Sequence, residues 1–243
     1  MFEEFPKKRK ELPEEFKKIY LSHYRKNRSG ATLATFFSKR MERWMHKKAA
    51  ADVQSNTSSV TLEIGAGTLN HLAYENITAY DIVEPFKELY INSPDLPKVR
   101  KVYNDIEEID AENKYDRIVS IAMFEHVLDL PKIVAKTGLL LKEKGTLRVA
   151  IPNEGSFLWK LGWKLTTGIE YRLKYGLDYG VLMQYEHINS ANEIETVLNY
   201  FYKNVKCSYL GLSKNFAFYR FYECSVPDAE NTKKYFSDTT SKG

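Results

Sequence analysis

The chain has 243 residues, 43% of them hydrophobic and 28% charged, which suits one large α/β domain with an insertion or lid and excludes a disordered chain. The net charge is only +4, too small for an extended nucleic-acid-binding face, and no nucleic-acid motif accompanies it. Its two cysteines, Cys207 and Cys224, lack the paired spacing of a metal site, so no metal is expected, and their scarcity fits a reducing cytoplasm.

Charge is unevenly spread. Residues 1–48 hold 14 Lys/Arg against 6 Asp/Glu, about +8, which leaves about −4 for the remainder. Such a basic amino-terminal segment favours an acidic or phosphorylated small-molecule acceptor or a membrane surface, or is a solvated helix face. No apolar run approaches the roughly 20 residues of a transmembrane segment. The start, MFEEFPKKRK, has no apolar stretch after its charges, so it does not read as a signal peptide.

Residues 1–57 are expected to form a helical lid. Met41, Trp44 and Met45 fall at helical spacing, and Asn27–Gly30 breaks two helical pieces. From position 60 the pattern alternates. Strands are expected at Val60–Ile64, Thr78–Val83, Val99–Tyr103, Tyr115–Ala122 and Gly145–Ile151. Helices are expected from about Leu69, up to about Ile91, and over Pro131–Leu141. This rhythm predicts a parallel sheet with helices on both faces. Residues 153–187 are rich in Gly, Trp, Tyr and Leu, too long for a simple connection, and predict a partly helical insertion over the carboxyl edge. Ser190 and Glu193 form a capping box for a helix to about Tyr202. Val205–Leu210 and Phe216–Cys224 alternate as an antiparallel hairpin closing the sheet. The core therefore spans 58–225, and 226–243 reads as a flexible tail.

Chemistry-bearing residues gather at the carboxyl ends of the strands, where open α/β sheets bind ligands. The first strand ends in Glu63, Gly65, Ala66, Gly67 and Thr68. The G-x-G-x-x-G dinucleotide pattern fails at Asn70. An acidic strand tip suits a ligand with a positively charged amino-acid end. Glu84 ends the second strand, 17 residues after Gly67, and a carboxylate there can accept from two ribose hydroxyls. Asp81 competes for that role but lies before the strand end. Asp105, with Ile106, follows the third strand, where it can accept from an adenine amino group. Ala122, Met123 and Glu125 follow the fourth.

The ordered set LEIGAGT, DIVEP, NDIEEI and YDRIVSIAMFEHVLDL, then LLKEKGTLRVAIPN, resembles the class I S-adenosylmethionine-dependent methyltransferases, over roughly residues 58–225. The E-H-V segment after strand four is similar to that of small-molecule members. The resemblance implies a Rossmann-like sheet of about seven strands with a terminal antiparallel hairpin, and S-adenosylmethionine as cofactor with S-adenosylhomocysteine as product. It places Glu63, Gly65, Ala66, Gly67, Thr68, Glu84, Asp105, Ile106, Ala122 and Met123 around that cofactor. The family pattern has a third glycine where this chain has Leu69.

For the acceptor end, His187, His126 and Glu125 are the catalytic candidates, with His23 on the lid and Glu186 as further possibilities. A hydroxyl acceptor benefits from a general base, and an anionic oxygen does not. Arg25, Arg28 and Arg172 can contact an acidic group bidentately, and Tyr24, Tyr179 and Tyr185 can wall the pocket, as can Tyr171 and Tyr175. The leading expectation is O-methylation of a small polar acceptor such as a sugar, sugar phosphate or surface-glycan precursor, in polysaccharide biosynthesis. One alternative is a lipid-like or quinone-like acceptor, met by the apolar residues Phe157, Leu158, Trp159, Leu161 and Trp163. Another is a non-catalytic protein that retains the nucleoside pocket. A nicotinamide dehydrogenase is a third.

Overall fold

A computed structural model describes residues 2–17, 19, 34–53, 59–76 and 79–240. Among these residues the strands form one seven-stranded sheet in the order β3-β2-β1-β4-β5-β7-β6. The strands are β1 (Val60–Ile64), β2 (Ala79–Val83), β3 (Lys101–Tyr103), β4 (Tyr115–Ile121), β5 (Leu141–Pro152), β6 (Tyr202–Gly211) and β7 (Ala217–Pro227). The first five pair in parallel, and β7 runs antiparallel to both β5 and β6. This is the Rossmann-like sheet with a terminal hairpin that the sequence predicts.

The central strands are apolar on both faces because both are covered. On one face Leu62, Ile64, Ile118, Leu147, Val149 and Ile151 pack with Val134 and Leu140 of α3 (Leu130–Leu140) and with Ile194, Val197 and Leu198 of α7 (Ala191–Phe201). On the other face Val119, Ile121 and Ala150 meet Met45 and Ala49 of α1 (Ala34–Ala49), with Met41 and Trp44 half-buried beside them. Arg117 and Arg148 are the two arginines on that face. Arg117 Nη2 and Arg148 Nε donate to the Ala49 carbonyl at 2.9 and 2.8 Å, and Arg148 Nη2 donates to the Lys48 carbonyl at 2.9 Å. They satisfy orphan carbonyls at the negative end of α1 and so fasten that helix to the sheet.

The helices between the first strands are shorter than expected. The link after β1 is a single tight turn, Asn70–Tyr74, and that after β2 is one turn of helix, α2 (Lys87–Tyr90). The insertion runs helically through α4 (Phe157–Trp163), a wider turn over Lys164–Gly168, and α5 (Ile169–Tyr175). Gly176, at φ 71°, ends that run, and Asp178 caps α6 (Tyr179–Glu186). Ser190 and Glu193 form the expected capping box of α7.

The carboxyl-terminal segment differs from its expected flexibility as far as residue 240. Ala229–Thr240 is a helix, α8, started by the Asp228 carboxylate accepting the Asn231 amide at 3.0 Å. Thr232, Tyr235 and Phe236 share one helical face, so Thr232 is buried and the two rings pack on the core. The polar composition of the segment hides this narrow stripe. Among the described residues, no helix is long and apolar enough to cross a membrane.

Candidate active site

At the carboxyl end of β1 the backbone reverses through Gly65 (φ 77°) and Gly67 (φ 52°). The Gly65 amide donates to the Val83 carbonyl at 2.9 Å, which holds the turn against β2. A Cβ on Gly65 would stand 2.4 Å from Met123 Cγ, so the turn touches the loop after β4 and only glycine fits. Leu69, where the family pattern has a glycine, takes the same left-handed conformation at φ 65°. Its buried side chain packs with Leu72, Tyr80, Ile82 and Tyr90, which offsets the backbone cost of about 1 kcal/mol.

Glu84 is buried at the end of β2. Its Oε2 accepts the Gly67 amide at 2.7 Å and its Oε1 the Phe86 amide at 3.1 Å. Asp81 points to other partners, accepting Arg100 at 2.8 and 2.7 Å and the Tyr115 hydroxyl at 2.9 Å. Asp105 is exposed and accepts the Glu107 amide at 2.9 Å, with Ile106 buried behind it. Glu63 is only 2% exposed, and the Tyr80 hydroxyl donates to its Oε2 at 2.8 Å. Burial pushes its pKa up to about 8 against the Tyr80 hydrogen bond, with the charges of Glu75 and Glu84 adding to the rise. Ala122, at φ 50°, is exposed beside Met123. These features make a glycine turn flanked by carboxylates, whose chemistry fits a nucleoside carrying a cationic amino-acid end.

A second group lies at the end of β4. Glu125, His126 and His187 each offer one atom within 4.8 Å of the others. Thus the structure brings the three catalytic candidates together. The two imidazoles meet edge to face, 4.8 Å between centroids, and Trp159 stacks on His187. His187 Nδ1 is 2.8 Å from Glu154 Oε2, and Trp159 Nε1 donates to the same oxygen. Burial alone would lower the His187 pKa, but the Glu154 hydrogen bond and the charges of Glu125, Glu154 and Glu186 outweigh it and hold it above the ordinary value. Glu154 is half-buried, which alone would raise its pKa, yet its bonds to His187 and Trp159 hold it below the usual range. Glu125, 1% exposed, is pushed up by burial to about 7, partly countered by His187.

The backbone fixes this cluster. The Glu125 carbonyl accepts the amides of Ile188 and Asn189 at 2.9 and 3.1 Å. Asn189 Nδ2 in turn donates to the carbonyls of Phe124 and Val127 at 2.8 and 2.7 Å. Arg9 clamps the same edge, donating to the carbonyls of His126 at 2.8 Å and Tyr185 at 2.9 Å. Glu154, Asn189 and Arg9 are absent from the sequence-based list of site residues. Glu154 lies two residues past β5, and an extension of the strand-end carboxylate argument used for Glu84 would have found it. Arg9 sits in a basic run with no pattern that singles it out.

The other expected residues that the structure describes lie on the insertion. Arg172 is exposed on α5. Tyr179 packs on Trp163 and Tyr171 within the insertion, and Tyr185 carries the Arg9 guanidinium over its ring at 5.5 Å. His23, Tyr24, Arg25 and Arg28 fall outside the described residues.

Residues 33–201 match the family described as "Methyltransferase domain". No curated protein matches the chain. Among solved structures, the chain is similar to the plantazolicin methyltransferase BpumL in complex with a pentazolic desmethylPZN analog and SAH, at 16% identity, covering 86% of this chain and 91% of that one with a TM-score of 0.57. It is also similar to a SAM-dependent methyltransferase of Thermotoga maritima described as a possible histamine N-methyltransferase, at 19% identity, 78% and 97% coverage and a TM-score of 0.50. A third is phosphoethanolamine N-methyltransferase 2 of Haemonchus contortus in complex with S-adenosyl-L-methionine, at 13% identity, 78% and 53% coverage and a TM-score of 0.51. With the match spanning well over half its length and the glycine turn flanked by carboxylates at its strand ends, this chain belongs to the class I S-adenosylmethionine-dependent methyltransferases.

Proposed function

We propose that this methyltransferase acts on a hydroxyl oxygen of a small acceptor, with His187 as the base that takes the hydroxyl proton. The observation that carries the reading is the His187–Glu154 pair at 2.8 Å, held beside Glu125 at the strand edge. A carboxylate on Nδ1 fixes the ring and leaves Nε2 to receive a proton. S-adenosylmethionine supplies an activated methyl group on its sulfonium. Glu63 receives the ammonium end, and the Gly65–Thr68 turn approaches the methionine and ribose portion, with the Gly65 and Gly67 amides holding the turn to Val83 and Glu84. Glu84 accepts from the ribose hydroxyls, Asp105 and Ile106 meet the adenine, and Ala122 and Met123 line the opposite wall. The frame of Asn189 and Arg9 keeps the acceptor end in place, and Trp159 excludes water from His187.

A sugar, sugar phosphate or glycan precursor is the acceptor class that the basic amino-terminal segment favours. A second reading has its own support. Phe157, Leu161, Leu165, Ile169 and Leu173 recur every four residues along α4 and α5, and all are exposed, Phe157 by 66% and Leu173 by 83%. This apolar stripe lies on the same helical run as Trp159 and favours a lipid-like or quinone-like acceptor. The deciding experiment is S-adenosylhomocysteine release with hydroxylic acceptors that carry or lack an apolar tail, each with wild type and His187→Ala. Turnover only with tailed acceptors selects the lipid-like class. Cofactor binding without turnover on any of them would favour a non-catalytic nucleoside-binding protein.

A further inference from the structure

We propose that Glu125, His126 and His187 form a binding site for one divalent first-row transition cation at the carboxyl end of β4. No ligand spacing in the sequence suggests it, because His187 joins the Glu125-His126 pair only through the fold.

Both imidazoles are already oriented as metal ligands are. His126 Nδ1 lies 2.9 Å from the Glu186 carbonyl, which can only accept, so the proton sits on Nδ1 and Nε2 keeps its lone pair. His187 Nδ1 lies 2.8 Å from Glu154 Oε2, so a neutral His187 also presents Nε2. Ligating histidines characteristically pass their other N–H to a carbonyl or a carboxylate in this way. The third ligand is Glu125, whose Oε1 is 3.8 Å from His126 Nε2. Its Oε2 is buried with no hydrogen-bond partner among the described residues. A carboxylate so placed is costly unless it is protonated or meets a cation.

The spacing is close to what an ion needs. Bonds of about 2.0–2.2 Å place tetrahedral ligand atoms roughly 3.4 Å apart, and the three ligand atoms stand within 4.8 Å of one another before any ion draws them in. The frame behind is rigid: the Glu125 carbonyl is bonded to Ile188 and Asn189, and Asn189 Nδ2 to Phe124 and Val127. Glu154 and Glu186 add negative charge, and Arg9 on the far side of His126 subtracts some of it. Two imidazoles and one carboxylate select zinc, manganese, iron(II) or cobalt over magnesium or calcium. Three protein ligands leave a position open for an acceptor oxygen.

The site keeps the hydroxyl-methylation reading but replaces its base, because the ion takes the His187 Nε2 that receives the proton in the ion-free protein; it rests on that reading only for what occupies the open position. With an ion bound, His187 Nε2 is committed to it. The coordinated hydroxyl then releases its proton to solvent, the O–CH3 bond forms, the S–CH3 bond breaks, and the electron pair of that bond stays on sulfur. No oxidation is involved.

The test is Co2+ titration of the full chain after treatment with a chelator, followed by ligand-field absorption and by quenching of the Trp159 fluorescence, with Zn2+ as competitor. One equivalent is expected to bind and to be displaced by Zn2+. His126→Ala and His187→Ala should each weaken binding at least tenfold, and Glu154→Gln, a positioning variant, by about 10–100-fold. S-adenosylhomocysteine binding and thermal unfolding report whether each variant folds; if Glu125→Gln does not, the histidine variants carry the test. No absorption band, or equal affinity in wild type and both histidine variants, overturns the site. Binding as expected without methylation of any hydroxylic acceptor supports the site and refutes the hydroxyl reading. Chelator-resistant turnover with no Co2+ binding does the reverse.

Discussion

The Gly67 amide donates to Glu84 Oε2 at 2.7 Å, so the carboxylate that ends β2 is tied to the turn that ends β1. One side chain therefore fixes the turn and, in the proposed cofactor site, also meets the ribose. Glu84→Ala should weaken S-adenosylhomocysteine binding by about 1–3 kcal/mol, roughly 5- to 150-fold, from lost hydrogen bonds to buried groups. Calorimetry on the variant measures it, and unchanged affinity would move the ribose contact elsewhere.

Leu69 tests which of two opposed effects wins in that turn. Leu69→Gly would relieve the left-handed backbone at φ 65°, a gain of about 1 kcal/mol. It would also delete a fully buried side chain from the cluster of Leu72, Tyr80 and Ile82, a loss of about 2–5 kcal/mol. Net destabilisation of about 1–4 kcal/mol is expected in denaturant unfolding. A more stable variant would show that strain, not packing, dominates the position.

Glu63 gives a pH-dependent prediction. Its carboxyl is raised from the ordinary 4.5 to about 8 in the folded chain. The folded state therefore keeps a proton that the unfolded state releases, so this residue's contribution to stability falls as pH rises from about 4.5 to about 8. The melting temperature of Glu63→Gln should gain on wild type across that window and run parallel to it outside. Parallel curves throughout would refute the raised pKa. A ligand ammonium favours the ionised form, so S-adenosylhomocysteine binding near pH 7 should release protons in wild type and fewer in Glu63→Gln.

The strand-end residues proposed for the cofactor are legible in the sequence because their arrangement is local. Gly65, Gly67, Glu84 and Asp105 each stand at a strand end, and a strand end shows as an apolar run meeting a glycine or an acid. The acceptor half is built from distant pieces. Glu125 and His126 come from the loop after β4, Glu154 from just past β5, His187 from the end of the insertion, and Arg9 from the amino terminus. Their meeting depends on tertiary bonds such as those of Asn189, which no periodicity encodes. The same holds for Tyr179, whose aromatic surroundings suggest a pocket wall but which packs inside the insertion's own core on Trp163 and Tyr171. In α8 a polar composition conceals a helix that three side chains on one face suffice to dock.

The His187–Glu154 pair yields the sharpest kinetic test. The His187 pKa is raised above its ordinary 6.5, although burial opposes the charge, because Glu154, Glu125 and Glu186 surround it. As a base it must first lose its proton, so kcat/KM should rise with pH along a limb lying above 6.5. Glu154→Gln removes one negative charge while its amide oxygen still accepts from Nδ1. The His187 pKa must then fall, and the limb must move to lower pH. The plateau rate should also fall, because a weaker base takes the hydroxyl proton less readily. His187→Ala should remove the limb and about 10²- to 10⁴-fold of kcat, with S-adenosylhomocysteine affinity unchanged. A purely structural role for Glu154 would lower activity without moving the limb, and an acid limb that stays in place in Glu154→Gln would remove His187 from the proton transfer.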